Sequence, residues 1–147
     1  MNDIYNFLRI NETLSTSGMP KPNQIQDIAA SGVKFVINLA TLKSEDWIPN
    51  EAELVANSGM NYLSIPVDWE NPTRKNLDDF MNAMDEHHNE RVHVHCQANF
   101  RASAFVSLYQ VLHLSMDKKT ALQNISKIWN PDEFPVWKKF IEENLSK

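Results

Sequence analysis

The chain predicts an α/β fold, with a central, mainly parallel sheet of four to five strands and helices on both faces. Three observations lead there. Short runs rich in β-branched and aromatic residues alternate with segments whose apolar residues recur every three or four positions. Glycine and proline punctuate the junctions at short intervals. No repeat, low-complexity tract or Gly/Ser linker interrupts the 147 residues, so 1–147 reads as a single domain. Strands alternating with helices lie parallel, because each helix crosses back over the sheet before the next strand begins.

Leu14–Ser17 is expected as an edge strand, after which Gly18-Met19-Pro20 turns the chain into a helix carrying Ile25, Ile28 and Ala29 on one face. Gly32 ends that helix, and Val33–Leu39 (VKFVINL) follows as a buried strand. Asn50 is placed to cap a second helix with Leu54 and Val55 on its apolar face; Gly59 stops it, and Met60–Val67 forms the next strand. Asp68-Trp69-Glu70-Asn71-Pro72 is a loop, and Thr73 caps a helix whose Leu77, Phe80, Met81 and Met84 recur at helical spacing. Arg91–His95 is the following strand. Ala104–Leu112 is apolar all round and reads as a central buried helix; Ala121, Ile125 and Ile128, then Phe134, Trp137 and Ile141, mark two closing helices.

Charge and composition exclude several functions. With 14 basic and 19 acidic residues the net charge is −5, and no basic run exists to displace counterions from a nucleic acid. No apolar run approaches the roughly 18 residues of a membrane span, and MNDIYNFLRI lacks the regions of a signal peptide, so a soluble, cytoplasmic protein is expected. One cysteine cannot form an internal disulfide, which leaves thiol chemistry or plain burial.

That cysteine lies in RVHVHCQANFRASAF, where a strand ends at His95-Cys96 and a helix begins near Arg101. Ligands of parallel sheets sit beyond the carboxyl ends of the strands. The first turn of a helix carries backbone N–H groups without acceptors, so the loop is an anion cradle in which Gln97, Ala98, Asn99, Phe100, Arg101 and Ala102 supply the donors. The same dipole and the Arg101 guanidinium favour a thiolate. The loop has no glycine, and Asn99 is the residue best able to take the left-handed conformation that such a turn needs.

His95-Cys96, a following arginine and Ser103 resemble the signature of the cysteine-dependent protein tyrosine and dual-specificity phosphatases. The segments GVKFVINLA and IPVDWENPT extend the likeness to a small bacterial phosphatase-like family within that superfamily. The loop is one residue short: four residues separate Cys96 from Arg101 where the superfamily has five, while Ser103 keeps its distance from the cysteine, so Ala102 occupies the arginine's usual place. Two courses are open. Either the ring contracts with Arg101 turned inward, or it keeps its usual path with Ala102 in the arginine's position.

The resemblance implies a protein tyrosine phosphatase-like fold and hydrolysis of a phosphate monoester, with a phosphorylated protein or small molecule as partner and no cofactor. Cys96 is then the nucleophile, Arg101 the phosphate clamp, Asp68 the general acid with Glu70 in reserve, and Ser103 an aid to thiolate release; His95 supports the loop backbone from behind. A turn-forming role for Asp68 stands beside the acid role. Rhodanese-type sulfurtransferases have a loop of the same shorter length, which keeps persulfide transfer open, and a degenerate anion-binding module is the non-enzymatic alternative. A metal site is not expected: His93 and His95 share a strand face that Cys96 does not, and neither His87 nor His88 completes a tetrahedral set.

Overall fold

The computed structural model describes residues 1–146. Five strands, β1 Leu8–Asn11, β2 Leu14–Ser17, β3 Phe35–Asn38, β4 Asn61–Ser64 and β5 Val92–His95, form one sheet in the order β1-β2-β5-β3-β4. Only the β1–β2 hairpin is antiparallel; β2 and β3 flank β5 in parallel, and β4 adds to β3. Six helices complete the fold: α1 Ile25–Ala30, α2 Glu51–Asn57, α3 Arg74–Glu86, α4 Phe100–Leu114, α5 Lys118–Ser126 and α6 Pro135–Leu145. The α/β architecture read from the sequence is the one observed.

Leu14–Ser17 is not an edge strand. β1 covers it, a strand with no counterpart in the sequence reading. Its four residues are only half buried in alternation, and its turn rests on one side chain, Asn11 Oδ1, which accepts the Thr13 N–H at 2.9 Å. Such a short hairpin leaves little periodicity to detect. The helix boundaries follow the expected signals more closely. Thr73 caps α3 by accepting the Asn76 N–H at 3.1 Å, an interaction that stabilises by about 1 kcal/mol. Asn50 stands at the N-cap of α2 without a side-chain bond, and Gly32 and Gly59 adopt positive φ (99° and 84°) just past α1 and α2.

α4 is the hub. Arg101 to Gln110 are all buried, and α3, α5 and α6 pack around the helix, which itself lies on β2 and β5. α1 and α2 pack together, and Glu51 of α2 meets His95 of β5 on the strand face that Cys96 does not share. Among the described residues no helix is long and apolar enough to cross a membrane.

The face under α2 carries a buried polar layer. Ser15, His93, Val36 and Tyr62 lie in one register row, and Ser17, His95, Asn38 and Ser64 in the row nearer the carboxyl ends. The Ser17 hydroxyl donates to the Gly18 carbonyl at 2.7 Å, so it accepts from His93 Nε2–H at 2.8 Å. Nδ1 of His93 is then free to accept the Ser15 hydroxyl at 2.7 Å. His93 is therefore held neutral; burial, with the charges of His95 and Arg9 behind it, brings its pKa down from 6.5 to about 3.

This network makes acid stability a test of the layer. Between pH 6.5 and about 3 the unfolded chain binds a proton at His93 that the native chain does not. Stability is thus lost as pH falls through that window, by about 1.4 kcal/mol per unit. Melting curves from pH 7 to pH 4 are expected to fall more steeply for the wild type than for His93→Gln. Parallel curves would show that His93 is not the buried neutral group.

Candidate active site

Cys96 follows β5 directly and the chain then turns back over the sheet end. Asn99 makes the turn with φ 70°, the left-handed conformation expected of it, and its Nδ2 donates to the Asn6 carbonyl at 2.8 Å and to Thr16 Oγ1 at 3.0 Å. The Gln97 carbonyl accepts Met19 N–H at 2.9 Å, and the Ala98 carbonyl accepts Asn6 Nδ2 at 3.0 Å. Gly18 sits beneath this arm: a Cβ there would lie 2.7 Å from the Gln97 carbonyl oxygen. On the far side the Gln97 Oε1 accepts the Glu45 N–H at 2.9 Å. The loop is thus tied to three segments distant in sequence.

The helical ladder of α4 begins with Ser103 N–H to the Asn99 carbonyl at 3.1 Å, so the amides of Phe100, Arg101 and Ala102 have no helical acceptor. Cys96 and Arg101 line one pocket of about 320 Å³, with Gln97, Ala98 and Phe100 from the loop and Trp69 and Phe134 as further walls. The pocket walls are aromatic for a reason in the packing. Phe100 stacks on Trp129 with ring centres 4.7 Å apart, and Trp69 meets both Trp137 and Phe134 at 5.3 Å. Such contacts contribute about 0.5–1.5 kcal/mol each beyond burial.

Arg101 is 6% exposed and turned inward, its Nη1 donating to the Val67 carbonyl at 2.8 Å and its Nη2 to Ser44 Oγ at 3.4 Å. That is the contracted ring; Ala102 is fully buried in α4. The single Ser103 hydroxyl proton goes to the Phe100 carbonyl at 3.1 Å, and its oxygen accepts Trp129 Nε1–H at 3.0 Å. Ser103 thus ties the start of α4 to the aromatic wall through Trp129.

Asp68 is exposed and its Oδ1 accepts the Glu70 N–H at 2.9 Å, the turn-forming bond. The residues on either side are anchored: Val67 by Arg101, and Trp69 through its carbonyl, which accepts Trp137 Nε1–H at 2.7 Å. Asp68 thus precedes the pocket-wall residue Trp69 in the chain, while its own side chain is not among those that line the pocket. Glu70 instead lines a separate hollow with Lys139 and Glu143 of α6.

His95 is wholly buried, with Nδ1 3.4 Å from the Cys96 carbonyl oxygen and Nε2 2.5 Å from Glu51 Oε2. Both nitrogens of His93 and of His95 are thus occupied, and among the described residues no three His, Cys, Asp or Glu side chains converge as metal ligands. Next to the loop, a cleft of about 700 Å³ shares Gln97 and Ala98 with the pocket and is walled by Tyr5, Lys21, Asp46 and Trp47. The sequence reading missed Asn6, Ser44 and Glu51. Each is an ordinary polar residue locally, and only the fold brings it to the loop.

Comparison with known proteins agrees with this geometry. The sequence model of the family described as PTP-NADK, a DSP-PTPase phosphatase fused to NAD+ kinase, matches residues 11–139. A putative phosphatase (DUF442) from Shewanella putrefaciens is 36% identical over 99% of this chain and 94% of its own, with a TM-score of 0.88. Two solved structures share the fold at 16% identity. Tk-PTP in its active form has a TM-score of 0.79 over 97% of both chains, and TpbA of P. aeruginosa in complex with pTyr has a TM-score of 0.74 over 92% of this chain and 82% of its own. No curated protein matches the chain.

Proposed function

Because this chain belongs to the PTP-NADK family of DSP-PTPase phosphatase domains, we propose that it hydrolyses a phosphate monoester through a cysteinyl-phosphate intermediate. The observation that carries this reading is the shared pocket of Cys96 and Arg101 at the start of α4. In the first step the Cys96 thiolate attacks phosphorus, an S–P bond forms and the P–O bond to the leaving alcohol breaks. Asp68 gives that oxygen its proton. The free amides of α4 and the Arg101 guanidinium hold the three equatorial oxygens, where charge gathers in the transition state. In the second step water attacks phosphorus and passes a proton to Asp68; the S–P bond breaks and phosphate leaves.

In the unliganded ring the Arg101 donors rest on Val67 and Ser44. An incoming anion exchanges neutral acceptors for charged ones, which gives stronger bonds. Trp69, Phe100 and Phe134 around the mouth suit a flat leaving group, so an aryl phosphate is the substrate class favoured by the walls. The pTyr carried by TpbA, a protein with the same fold, supports that choice.

Iodoacetate labelling tests the reading. Fast alkylation at pH 6, slowed by inorganic phosphate, together with release of phosphate from an aryl ester, is the expected result. Fast alkylation with persulfide formation and no phosphate release would favour sulfur transfer. Slow alkylation without protection would reduce the site to an inert thiol.

The acid has its own signature. Asp68→Asn is expected to lower turnover by about 10²–10⁴ for an alkyl phosphate, and much less for nitrophenyl phosphate, whose anion leaves without a proton. Equal losses for both esters would move the acid role to Glu70, or to Glu45 or Asp46 in the adjoining cleft.

A further inference from the structure

The segment between β3 and α2 meets the loop at three points. Ser44 bonds Arg101, the Glu45 amide bonds Gln97, and Glu51 bonds His95. The Gln97 contact lies at the exposed rim, and the Arg101 contact is buried. The third is also buried: Glu51 is 2% exposed, an unusual state for a glutamate unless both carboxylate oxygens are satisfied. They are. Oε2 faces His95 Nε2 and Oε1 accepts Asn38 Nδ2 at 3.2 Å. Asn38 cannot be turned round, because its Oδ1 already accepts the Ala40 N–H at 2.8 Å, so its donor end must face Glu51 and the Tyr62 hydroxyl.

The orientation of His95 follows from these partners. A carbonyl oxygen only accepts, so Nδ1–H donates to the Cys96 carbonyl, and Nε2 shares the second hydrogen bond with Glu51. Cys96 and Gln97 share a peptide unit, and among the described residues no peptide bond is cis. In a trans peptide the C=O and N–H point in opposite directions. Holding the Cys96 carbonyl toward His95 thus turns the Gln97 N–H to the opposite side, toward the pocket.

We propose that Glu51 is a positioning residue for the nucleophile: through His95 it fixes the peptide after Cys96, so that the Gln97 N–H faces the bound anion beside the sulfur. This rests on Cys96 acting as the thiolate nucleophile. The ionisable groups that interact with the pair are Tyr62 on β4, which feels the Glu51 charge, and His93 on β5, whose ring lies 6.4 Å from that of His95. His93 is neutral, and burial followed by the Glu51 charge holds the Tyr62 phenol above its usual range, so neither competes for the role.

Two measurements test the assignment. In the first, iodoacetate rates are compared for wild type and Glu51→Gln at pH 6 and pH 9. Glu51→Gln is expected to react about tenfold more slowly at pH 6 and equally fast at pH 9, with phosphate protection weakened, since a tenfold change in thiolate is one unit of titration. An unchanged ratio of rates in a folded Glu51→Gln would overturn the proposal and leave Glu51 a structural residue. Slow alkylation of the wild type at pH 6 would instead sink the nucleophile reading on which it depends. The second measurement needs no variant: nitrogen-15 spectra of histidine-labelled protein should show the His95 proton on Nδ1, where the Cys96 carbonyl accepts it. A bare Nδ1 on that ring would equally overturn the assignment.

Discussion

Cys96→Ser is expected to abolish release of nitrophenolate from nitrophenyl phosphate, by at least about 10⁴-fold, while the melting temperature falls by a few degrees at most. In the proposed mechanism the sulfur is the nucleophile, and a hydroxyl is a far weaker one at neutral pH than a thiol. Loss of the covalent partner from a site that acts as a unit removes nearly all of its rate enhancement. The structural cost is small because serine fits the space of Cys96, which is fully buried. Rates and a thermal melt on the same preparation check both halves. Residual turnover above a hundredth of wild type would remove the covalent mechanism.

Arg101→Lys is expected to lower kcat/KM for the same ester by about 10²–10³ although the charge is kept. The guanidinium carries five donors in a plane and serves two acceptors at once, Val67 and Ser44 in the unliganded ring. An ammonium is a point charge on a shorter, less rigid stem and cannot span two oxygens of a phosphoryl group. Loss of one well-placed donor in such a site costs about 3–4 kcal/mol at the transition state. The variant should also lose phosphate protection against iodoacetate. If Arg101→Lys kept full activity, charge alone would suffice and the fork geometry would be irrelevant.

Both substitutions act on a short loop, and its reading shows what local sequence can carry. The strand-loop-helix run, the cysteine at a sheet end and the arginine at a helix start are local features. They follow from periodicity and from the unpaired amides of any helix N-terminus. Asn99 was legible too, because a turn without glycine needs a residue that tolerates positive φ, and Asn99 has φ 70°.

Register within the loop was a different matter. The spacing of Cys96, Arg101 and Ser103 permitted two courses, and side-chain partners chose between them: Arg101 reaches the Val67 carbonyl, and Ser103 turns to Trp129. Neither partner lies within the motif. The edge assigned to Leu14–Ser17 failed for a related reason, since four half-buried residues turned by one asparagine carry too little pattern to announce a strand.

The sequence alone carried the alternation of strands and helices and the placement of Cys96 at the carboxyl end of β5. Each depends on the chemistry of neighbouring residues. Only the tertiary structure decided which way Arg101 points, that Asn6 and Gly18 hold the Gln97–Ala98 arm, and that Glu51 stands behind His95. Glu51 is 44 positions from its partner, and on a helix start it reads as a favourable first-turn acid and nothing more. Its burial exists only because strand β5 lies between β2 and β3, with α2 laid across the same end of the sheet. Pairings of that kind depend on where whole elements pack, a collective outcome that no local stretch of chain encodes.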